Sequence, residues 1–449
     1  MSKVLICVLL LIGCAPPDVA ATPEGLTLAE VQQFLRGRDL FLNETFDGND
    51  RTCSSCHLRR ELGDNFDFTP IDAQMIFATD PTNPLFREID ADGGSGSDFS
   101  ILLATGDVRI PFVLPPSITV DEPDSPMIHT NGDGTRTVFV LRSTPSIENM
   151  ALEESIMWDG REGSDLAHQA GSAVQTHYQP GRLPTQAEKD DIAFFQRQFF
   201  TGLNTRVFAA GGPAPTLPEV PGYLVGPQWD RARAGRRFFV DMPIVASADQ
   251  TLRGGHCATC HSGPMLDTTN SFNPVSPAGL KTNNNNTTSE VNAIGFPALT
   301  YRVTLQHPVF FPAGIPPLPF FPPAGTPLFA PGTVFTIHSP DIGNVLTTGD
   351  PCPPGAEVFC FISTFLVGGG VPTSQSFFRN SSLWGSADTA PYFHDNSCAD
   401  LECVLAHYQN NIFLPTSFAT GNPGWNLSAD EQAQIIEYMN FGLRRTTLL

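Results

Sequence analysis

The chain has 449 residues, of which 41% are hydrophobic and only 16% are charged, and its formal net charge is −21. That length accommodates two domains of ordinary size, and the 41 prolines and 39 glycines predict long ordered loops. The acidic balance argues against a nucleic-acid partner, because phosphate contacts need clustered Lys and Arg. The charge either steers a cationic protein partner towards the chain or serves solubility alone.

The N-terminal residues predict an export signal. A positive charge at Lys3 precedes an apolar run too short to span a bilayer, and the run ends in a Leu-Ile-Gly-Cys box typical of bacterial lipoproteins. We expect residues 1–14 to be a lipoprotein signal peptide ending at Cys14, and residues 15–25 to be a tether. The protein would then be lipid-anchored on the periplasmic side of a bacterial membrane, with no other membrane contact. An ordinary signal peptide cleaved nearby is the alternative.

Capping signals and helical spacing predict four helices. Residues 27–30 (Thr-Leu-Ala-Glu) form a capping box that begins an amphipathic run through Phe41. Residues 187–200, 231–239 and 428–443 also place apolar side chains at helical spacing. The first and third of these helices each precede a Cys-x-x-Cys-His motif, and we expect them to pack beside it.

The Cys-x-x-Cys-His motif occurs twice, and its cysteines and histidines are Cys53, Cys56, His57, Cys257, Cys260 and His261. Two thiols three positions apart can each add to a vinyl group of haem, and the histidine that follows becomes an iron ligand. A zinc site would need four ligands, and a thioredoxin-like dithiol needs no histidine. The first motif (residues 53–57) and the second motif (residues 257–261) therefore predict two covalently bound haem c groups.

Four further cysteines belong to the mature chain: Cys352, Cys360, Cys398 and Cys403. An even number of cysteines in an oxidising compartment predicts disulfides. Three pairings are possible, and we favour the local ones, which join Cys352 to Cys360 and Cys398 to Cys403.

Two later segments predict irregular structure. Residues 283–286 are a run of asparagines, which we expect to form an exposed loop. Residues 307–331 are so rich in Pro and Phe that a regular helix and a central strand are excluded. That segment would form either a packed loop or an aromatic-walled channel.

The Pro- and Gly-rich residues 212–227 separate the two motifs and predict a linker. The N-terminal haem domain would then comprise residues 26–211 and the C-terminal haem domain residues 228–449. The expected fold class is mainly α: two cytochrome c-like helical domains with long Pro/Gly-rich loops and the haems facing the interdomain region.

Three more motifs accompany the haem motifs: residues 144–149 (Thr-Pro-Ser-Ile-Glu-Asn), 158–161 (Trp-Asp-Gly-Arg) and 389–395 (Thr-Ala-Pro-Tyr-Phe-His-Asp). Together they resemble the bacterial di-haem cytochrome c peroxidase and MauG superfamily over nearly the whole mature chain. The resemblance implies that peroxide is activated at the N-terminal haem and that the C-terminal haem relays electrons. A small cationic cytochrome or an oxidisable substrate would supply those electrons.

The same resemblance implies roles for single residues. Trp158 matches a tryptophan that assists electron transfer between the haems, and Arg379 matches an arginine that would pair with a haem propionate. Thr389 and Pro391 match backbone ligands of a calcium ion between the domains. The family's asparagine ligand of that ion is replaced here by Ser143.

The sixth ligand of the second haem is expected at Tyr408, fourteen residues after His394. Peroxidases of the family have methionine at this position, whereas MauG-like proteins have tyrosine. A phenolate stabilises ferric and higher iron states, so this haem would not act as a high-potential electron store. The rival ligand is His407. We favour Tyr408, because one step along a helix turns a side chain by about 100°. A packed aromatic at Tyr408 is the remaining alternative.

The acid–base pair of the first haem departs from the peroxidase pattern. Gln169 matches the family's glutamine, but Gln179 stands where peroxidases have a glutamate, and an amide cannot accept a peroxide proton. His177 is the candidate replacement base, or else a structural histidine. The segment around Thr135 has no histidine closer than His129, so the sixth position of this iron is expected to be open.

These features favour a di-haem oxidoreductase that acts on hydrogen peroxide or oxygen. Two alternatives stay open. One is a non-enzymatic periplasmic electron-transfer cytochrome, and the other is a di-haem oxygenase acting on an apolar substrate, which the Pro/Phe-rich segment would suit.

Overall fold

A computed structural model describes residues 25–58, 67–240, 257–268, 282–283, 297–313, 321–355, 357–367, 369–372, 376–410 and 426–445. The predicted signal peptide and the tether up to residue 24 lie outside these residues, as do residues 284–286 of the predicted asparagine loop. Within the described ranges, no helix combines the length and the apolarity needed to cross a bilayer.

Helices contain more of the described residues than strands do. The α-helices, α1 to α12 in chain order, are Leu28–Asn43, Pro70–Thr79, Ser100–Thr105, Leu166–His177, Gln186–Gln196, Leu203–Ala209, Pro227–Val240, Cys257–Cys260, Val345–Thr348, Glu357–Phe361, Leu401–Tyr408 and Ala429–Gly442. Short 3₁₀ turns cover Cys53–Ser55, Glu88–Asp90 and Ser386–Asp388, and a π-helical turn, Ile362–Val367, follows α10.

The four helices predicted from sequence are confirmed as α1, α5, α7 and α12. Thr27 and Glu30 form the predicted capping box at the start of α1, and Ser428 forms another with Glu431 at the start of α12. Each cap satisfies backbone N–H groups that the first turn leaves without an intrahelical partner.

The strands were not predicted, so the expectation of a mainly α fold describes only part of the structure. The strands, β1 to β10, are Val108–Val113, Ile118–Val120, Ile128–Thr130, Arg136–Arg142, Thr282–Asn283, Leu299–Thr304, Val309–Phe310, Pro327–Phe329, Val334–Ser339 and Phe378–Arg379. They form two three-stranded antiparallel sheets, in the orders β1-β4-β3 and β2-β6-β9, and two pairs, β7-β8 and β10-β5.

The sequence of strand β6 illustrates why these segments form β-strands. Its side chains alternate between the core and the opposite face, with Leu299, Tyr301 and Val303 buried. Branched and aromatic residues with this period of two favour a half-buried strand. Asn283 lies in β5 and not in a loop, because it pairs with Phe378 across the two strands.

The Pro/Phe-rich segment contains only the short hairpin β7-β8 among its described residues. The prediction that it holds no regular helix is confirmed for those residues, and both of its strands are edges of a two-stranded sheet. Proline removes a backbone donor, which an edge strand tolerates and a central strand does not.

Buried apolar side chains form three clusters. One lies among α1, α4 and α5, near the first motif, and another lies among α7, α11 and α12, near the second motif. The third and largest is built on the sheets and draws residues from Phe68 to Phe377. Strand β2 pairs with β6, with Ile118 opposite Val303, so this cluster contains residues from both sides of the predicted linker.

Residues 212–226, the predicted linker apart from its last residue, contain neither helix nor strand. They nevertheless pack on the C-terminal helices, since Val220 is buried there and the Pro218 carbonyl accepts hydrogen bonds from Arg236 and Tyr438. The division into two domains stays a prediction. Both predicted disulfides are confirmed, joining residues 352 to 360 and 398 to 403.

A buried ion cluster joins distant parts of the chain. Arg142, at the end of β4, donates to both oxygens of Asp341, at 2.7 and 3.1 Å, and to Asp159 at 2.7 Å. All three side chains are inaccessible to solvent. The two carboxylates raise the pKa of Arg142, although its burial acts in the opposite direction. One guanidinium therefore holds together β4, the Trp-Asp-Gly-Arg motif and the segment that follows β9.

Replacing Arg142 by methionine should lower the free energy of unfolding by about 3–5 kcal/mol, because the buried Asp341 carboxylate loses its guanidinium partner and Asp159 keeps only Arg161. Urea denaturation followed by circular dichroism measures the change. Arg302→Met is the control, since Arg302 forms an exposed pair with Asp121 and should leave the midpoint nearly unchanged. Equal midpoints for Arg142→Met and the wild type would contradict this account of the cluster.

Candidate haem sites

Each Cys-x-x-Cys-His motif is one helical turn. The His57 N–H donates to the Cys53 carbonyl at 2.9 Å, and the His261 N–H donates to the Cys257 carbonyl at 2.8 Å. Residues three apart on such a turn point to the same side. Each turn therefore presents two thiols together with a histidine directly after them.

The helices beside the two motifs are built alike. α1 and α7 both carry the sequence Gly-Arg-x-x-Phe, at residues 37–41 and 235–239. A Cβ at Gly37 would overlap the Asp191 carbonyl of α5, and a Cβ at Gly235 would overlap the Gln434 carbonyl of α12. Glycine therefore allows the two backbones to touch where each helix pair crosses.

An aromatic pair supports each crossing. Phe41 lies 5.1 Å from Phe195 of α5, and Phe239 lies 5.6 Å from Tyr438 of α12, measured between ring centroids. Phe41 also lies 5.9 Å from the His57 ring of the first motif. The repeated Gly-Arg-x-x-Phe signal was visible in the sequence, but its role as a helix crossing needed the structure.

His261 is oriented as a metal ligand. Its Nδ1 lies 2.9 Å from the Leu266 carbonyl oxygen, and because a carbonyl only accepts, Nδ1 carries the proton and the lone pair is on Nε2. Burial lowers the pKa of His261, against smaller raising effects of the Leu266 and Ser381 carbonyls, which keeps the ring neutral. Iron-ligating histidines commonly donate their other N–H in this way.

The motif cysteines do not have the electrostatics of a reactive dithiol. Burial raises the pKa of Cys53 and of Cys56 to about 11 and that of Cys257 to about 12. Reactive redox cysteines instead have a lowered pKa. Buried thiols that lie side by side fit thioether attachment to a haem.

Two residues beside the first motif were missed at the sequence level. Arg51, two residues before Cys53, is fully buried and pairs with Asp90 at 2.5 Å. The Tyr178 hydroxyl lies 3.2 Å from the Cys53 sulfur. Charged residues usually lie at the surface, so sequence alone gave no reason to place Arg51 in the site.

His177, the predicted base, ends α4 in this same neighbourhood. It is partly buried, and burial is the largest cause that lowers its pKa to about 4, with Arg51 acting in the same direction and Asp90 against it. The ring is therefore neutral at ordinary pH and able to accept a proton. Gln169 lies on the same helix, with its side-chain nitrogen 3.7 Å from the Met157 sulfur.

Gln179 is linked to His177 through Asn49, whose side chain also donates to the His177 carbonyl at 3.0 Å. It is exposed, has a φ of 48°, and accepts a hydrogen bond from Asn49 at 3.3 Å. Gln179 therefore makes a surface hydrogen bond at the position where the peroxidases that this sequence resembles have a glutamate.

Tyr408 lies beside the second motif. Burial raises its pKa, and the electrostatic effects of Cys260 and Cys257 raise it further. A phenolate would therefore need a nearby cation, which a ferric iron would supply. The rival His407 ring lies 4.8 Å from the Phe393 ring and nearly perpendicular to Tyr408, and the Tyr408 ring lies 6.2 Å from the same Phe393.

Two side chains that lie about 120 residues further along the chain hydrogen-bond to the backbone of the second motif and of the residues just after it. Asn380 donates to the Cys260 carbonyl at 3.0 Å, and the Trp384 indole donates to the Pro264 carbonyl at 2.8 Å. Neither was singled out from sequence, because an amide or indole that bonds to a distant backbone leaves no local pattern.

Trp158 is held by both halves of the chain. Its indole N–H donates to the Ser143 carbonyl, and its own carbonyl accepts from the Arg379 N–H, both at 2.9 Å. The Arg379 Nη1 bonds to Glu153 at 2.6 Å and to the Ser155 carbonyl at 2.9 Å. Within the described chain, the buried Arg379 Nε has no hydrogen-bond partner, which leaves a donor for the predicted propionate.

The side-chain hydroxyls of Thr389 and Ser143, at the predicted calcium position, both donate hydrogen bonds to backbone carbonyls. The Thr389 hydroxyl donates to the Ser386 carbonyl at 3.2 Å, and the Ser143 hydroxyl donates to the Phe393 carbonyl at 3.3 Å. The described residues contain no group of three or more His, Cys, Asp or Glu arranged to hold a metal. Calcium at Thr389 and Pro391 stays a prediction.

No family model and no curated protein matches the sequence. Among solved structures, the chain is similar to a MauG-like protein associated with microbial copper homeostasis, with 16% identity, a TM-score of 0.39, and coverage of 95% of this chain and 92% of that one. It is also similar to the hydrazine synthase of Kuenenia stuttgartiensis, with 13% identity, a TM-score of 0.35, and coverage of 98% and 99%. TM-scores this low define neither the fold nor the function of this chain, so its chemistry has to be argued from its own residues.

Gly235→Ala should weaken the second haem site, because the added methyl would push α7 away from the Gln434 carbonyl of α12. We expect a loss of roughly 1–3 kcal/mol in unfolding free energy and less haem bound per chain, measured by urea denaturation and by the absorbance of the purified protein. Gly222→Ala is the control, since a methyl there meets open space. A Gly235→Ala protein as stable as Gly222→Ala would refute the close crossing.

Proposed function

We propose that this protein is a di-haem c-type oxidoreductase that activates hydrogen peroxide at the first motif and relays electrons through the second. The observation that carries the proposal is the setting of His177. Its imidazole is neutral, and hydrogen bonds to its backbone carbonyl hold the residue next to the first motif. The Asn49 side chain and Arg51 both donate to the His177 carbonyl, at 3.0 and 3.5 Å. These two residues immediately precede the motif in the chain.

His177 would perform the proton transfer that peroxide activation requires. When bound, the haem supplies the iron that binds peroxide and the electrons for its reduction. His177 would accept a proton from one oxygen of the peroxide and donate it to the other, which would leave as water. Gln169, about two turns earlier on α4, would orient the peroxide by hydrogen bonding.

Trp158 and Tyr408 would serve the electron relay. Trp158 is bonded at its indole to Ser143 and at its carbonyl to Arg379, so its ring is fixed between the two halves of the chain. Tyr408 would ligate the iron held by His261 as a phenolate and stabilise its oxidised form. We further propose a small cationic cytochrome as the electron donor, attracted by the net charge of −21, and a periplasmic location through the lipid at Cys14.

An apolar substrate is the second candidate, and one observation favours it. A chain of aromatic contacts runs through Phe311, Phe361, Phe365 and Phe329, with centroid distances of 5.2 to 5.9 Å. Within it, Phe365 is 46% exposed. Such a surface would bind a hydrocarbon through apolar contacts, and a bound haem would supply the oxidising chemistry. A protein without peroxide reactivity would instead be an electron-transfer cytochrome.

His177→Ala should lower the rate constant of the reaction with peroxide by about 10²–10⁴-fold, the usual contribution of a general base. Stopped-flow absorbance of the haem-loaded protein measures it. The matched control is His168→Ala, on the same helix but with a 68% exposed side chain paired to Glu162, and it should react like the wild type. Equal rates for the two variants would remove His177 from the mechanism.

The pH dependence of the same reaction provides a separate check. A His177 pKa of about 4 means that the neutral base persists well below neutrality. The rate constant should stay level from pH 8 to pH 5 and fall as the pH drops through about 4. An ordinary histidine would lose its base form below about pH 6.5, so a decline in rate centred there would contradict the buried setting of His177.

Tyr408→Phe should abolish the phenolate-to-iron charge-transfer band of the oxidised protein, because the ligand oxygen is removed while the ring remains. Visible and near-infrared absorbance records the band. Tyr223→Phe is the control, since Tyr223 is 81% exposed and does not belong to the apolar cluster beside either motif. An unchanged spectrum in Tyr408→Phe would transfer the ligand role to His407.

A further inference from the structure

We infer that Arg51 is the positioning residue of the peroxide site: its guanidinium ties the start of the first haem motif to the end of α4 and so sets the distance between His177 and the haem. The inference rests on the proposed function and assigns a role to a residue outside the predicted site.

Arg51 is buried in the protein interior. Its side chain is 1% exposed, and it is one of the largest fully buried side chains in the described chain. Removing a guanidinium from water is costly unless its donors are matched. A protein keeps such a group inside only when its contacts are specific, so the partners of Arg51 indicate what it does.

Those partners come from three separate segments. Nε donates to the Pro84 carbonyl at 2.8 Å, and Nη2 donates to the Leu85 carbonyl at 2.7 Å and pairs with Asp90 at 2.5 Å. Nη1 reaches the His177 carbonyl at 3.5 Å. The planar fork thus joins residues 84–90 to the last residue of α4, and it does so two positions before Cys53.

Neighbouring backbone contacts make this junction continuous. The Asn49 N–H donates to the Tyr178 carbonyl at 2.8 Å, and its side chain donates to the His177 carbonyl at 3.0 Å. A Cβ at Gly48 would overlap the Tyr178 carbonyl. The segment that leads into the first motif therefore lies directly against the residues around the base.

Asp90 completes the arrangement. Besides pairing with Arg51, it accepts the backbone N–H of Arg109 in β1 at 2.7 Å. The ion pair is thereby anchored to the sheet cluster, a rigid support for a group that must hold a base in place. Burial favours the neutral form of His177, and the positive charge of Arg51 adds to that effect.

Lysine cannot replace this fork. It keeps the charge for Asp90 but offers a point-like ammonium in place of a planar donor set, so the contacts to the Pro84, Leu85 and His177 carbonyls cannot all be made. Arg51→Lys is therefore a variant that should fold and bind haem yet misplace the base.

The test is a double-mutant cycle on the haem-loaded full chain. We compare Arg51→Lys, His177→Ala and the double variant for the rate constant with hydrogen peroxide, with the unfolding midpoint and haem content measured in parallel. Arg36→Lys is the matched control, because Arg36 has a 58% exposed side chain on α1, which forms an ion pair with Asp191 of α5 that lysine can keep. Asn49→Ala removes the second donor to the His177 carbonyl and serves if Arg51→Lys does not fold.

If Arg51 acts through His177, Arg51→Lys should slow the reaction about tenfold or more, a typical loss when a catalytic group is displaced. The double variant should then be no slower than His177→Ala. An Arg51→Lys rate equal to that of Arg36→Lys, or losses that multiply in the double variant, would overturn the positioning role alone. An unimpaired His177→Ala would overturn both the base and its positioning residue.

Discussion

The structure depends on one buried guanidinium, that of Arg142, which binds Asp159 and Asp341 away from water. Each carboxylate comes from a different part of the chain, and Arg142 is the cation that both of them share, while Asp159 also pairs with Arg161 at 2.9 Å. Asp159 is the second residue of the Trp-Asp-Gly-Arg motif, so the same cluster fixes the backbone of Trp158. The position of Trp158, the proposed relay residue, thus depends on this buried ion cluster and not on the packing of a local helix.

The two Cys-x-x-Cys-His motifs are supported by the same kind of helix packing but differ in the residues around them. Each haem motif lies beside a helix pair that crosses at a glycine, Gly37 or Gly235. The surroundings then diverge. The first motif has a buried Arg51 and a neutral His177, groups suited to proton transfer. The second has His261 fixed through Nδ1 and an aromatic Tyr408, groups suited to hold an iron in one coordination state.

The parts predictable from sequence are those that depend on neighbouring residues. Capping boxes at Thr27 and Ser428 and the local disulfides need only short-range geometry, and each is present. The sheets were missed because their strands are short and gain stability from partners far away, as when Ile118 in β2 pairs with Val303 in β6. Propensity alone does not distinguish such segments from loops.

In the candidate site, too, only the features that depend on neighbouring residues could be predicted from sequence. The motif residues carry their chemistry in their spacing, so the haem sites could be proposed from sequence. Arg51 and Asn380 act on carbonyl oxygens of distant residues, and a backbone carbonyl leaves no trace in an amino-acid sequence. Resemblance could suggest roles for Trp158 and Tyr408, but their hydrogen bonds and their burial required coordinates.

The central claim is that the two haem sites are unequal, one open to peroxide and one closed by Tyr408. Electron paramagnetic resonance of the fully oxidised, haem-loaded protein, recorded before and after one equivalent of hydrogen peroxide, tests it most directly. The account predicts a high-spin ferric signal from the first site that changes with peroxide, beside a distinct signal from the second. Two low-spin, six-coordinate signals that peroxide leaves unchanged would contradict it.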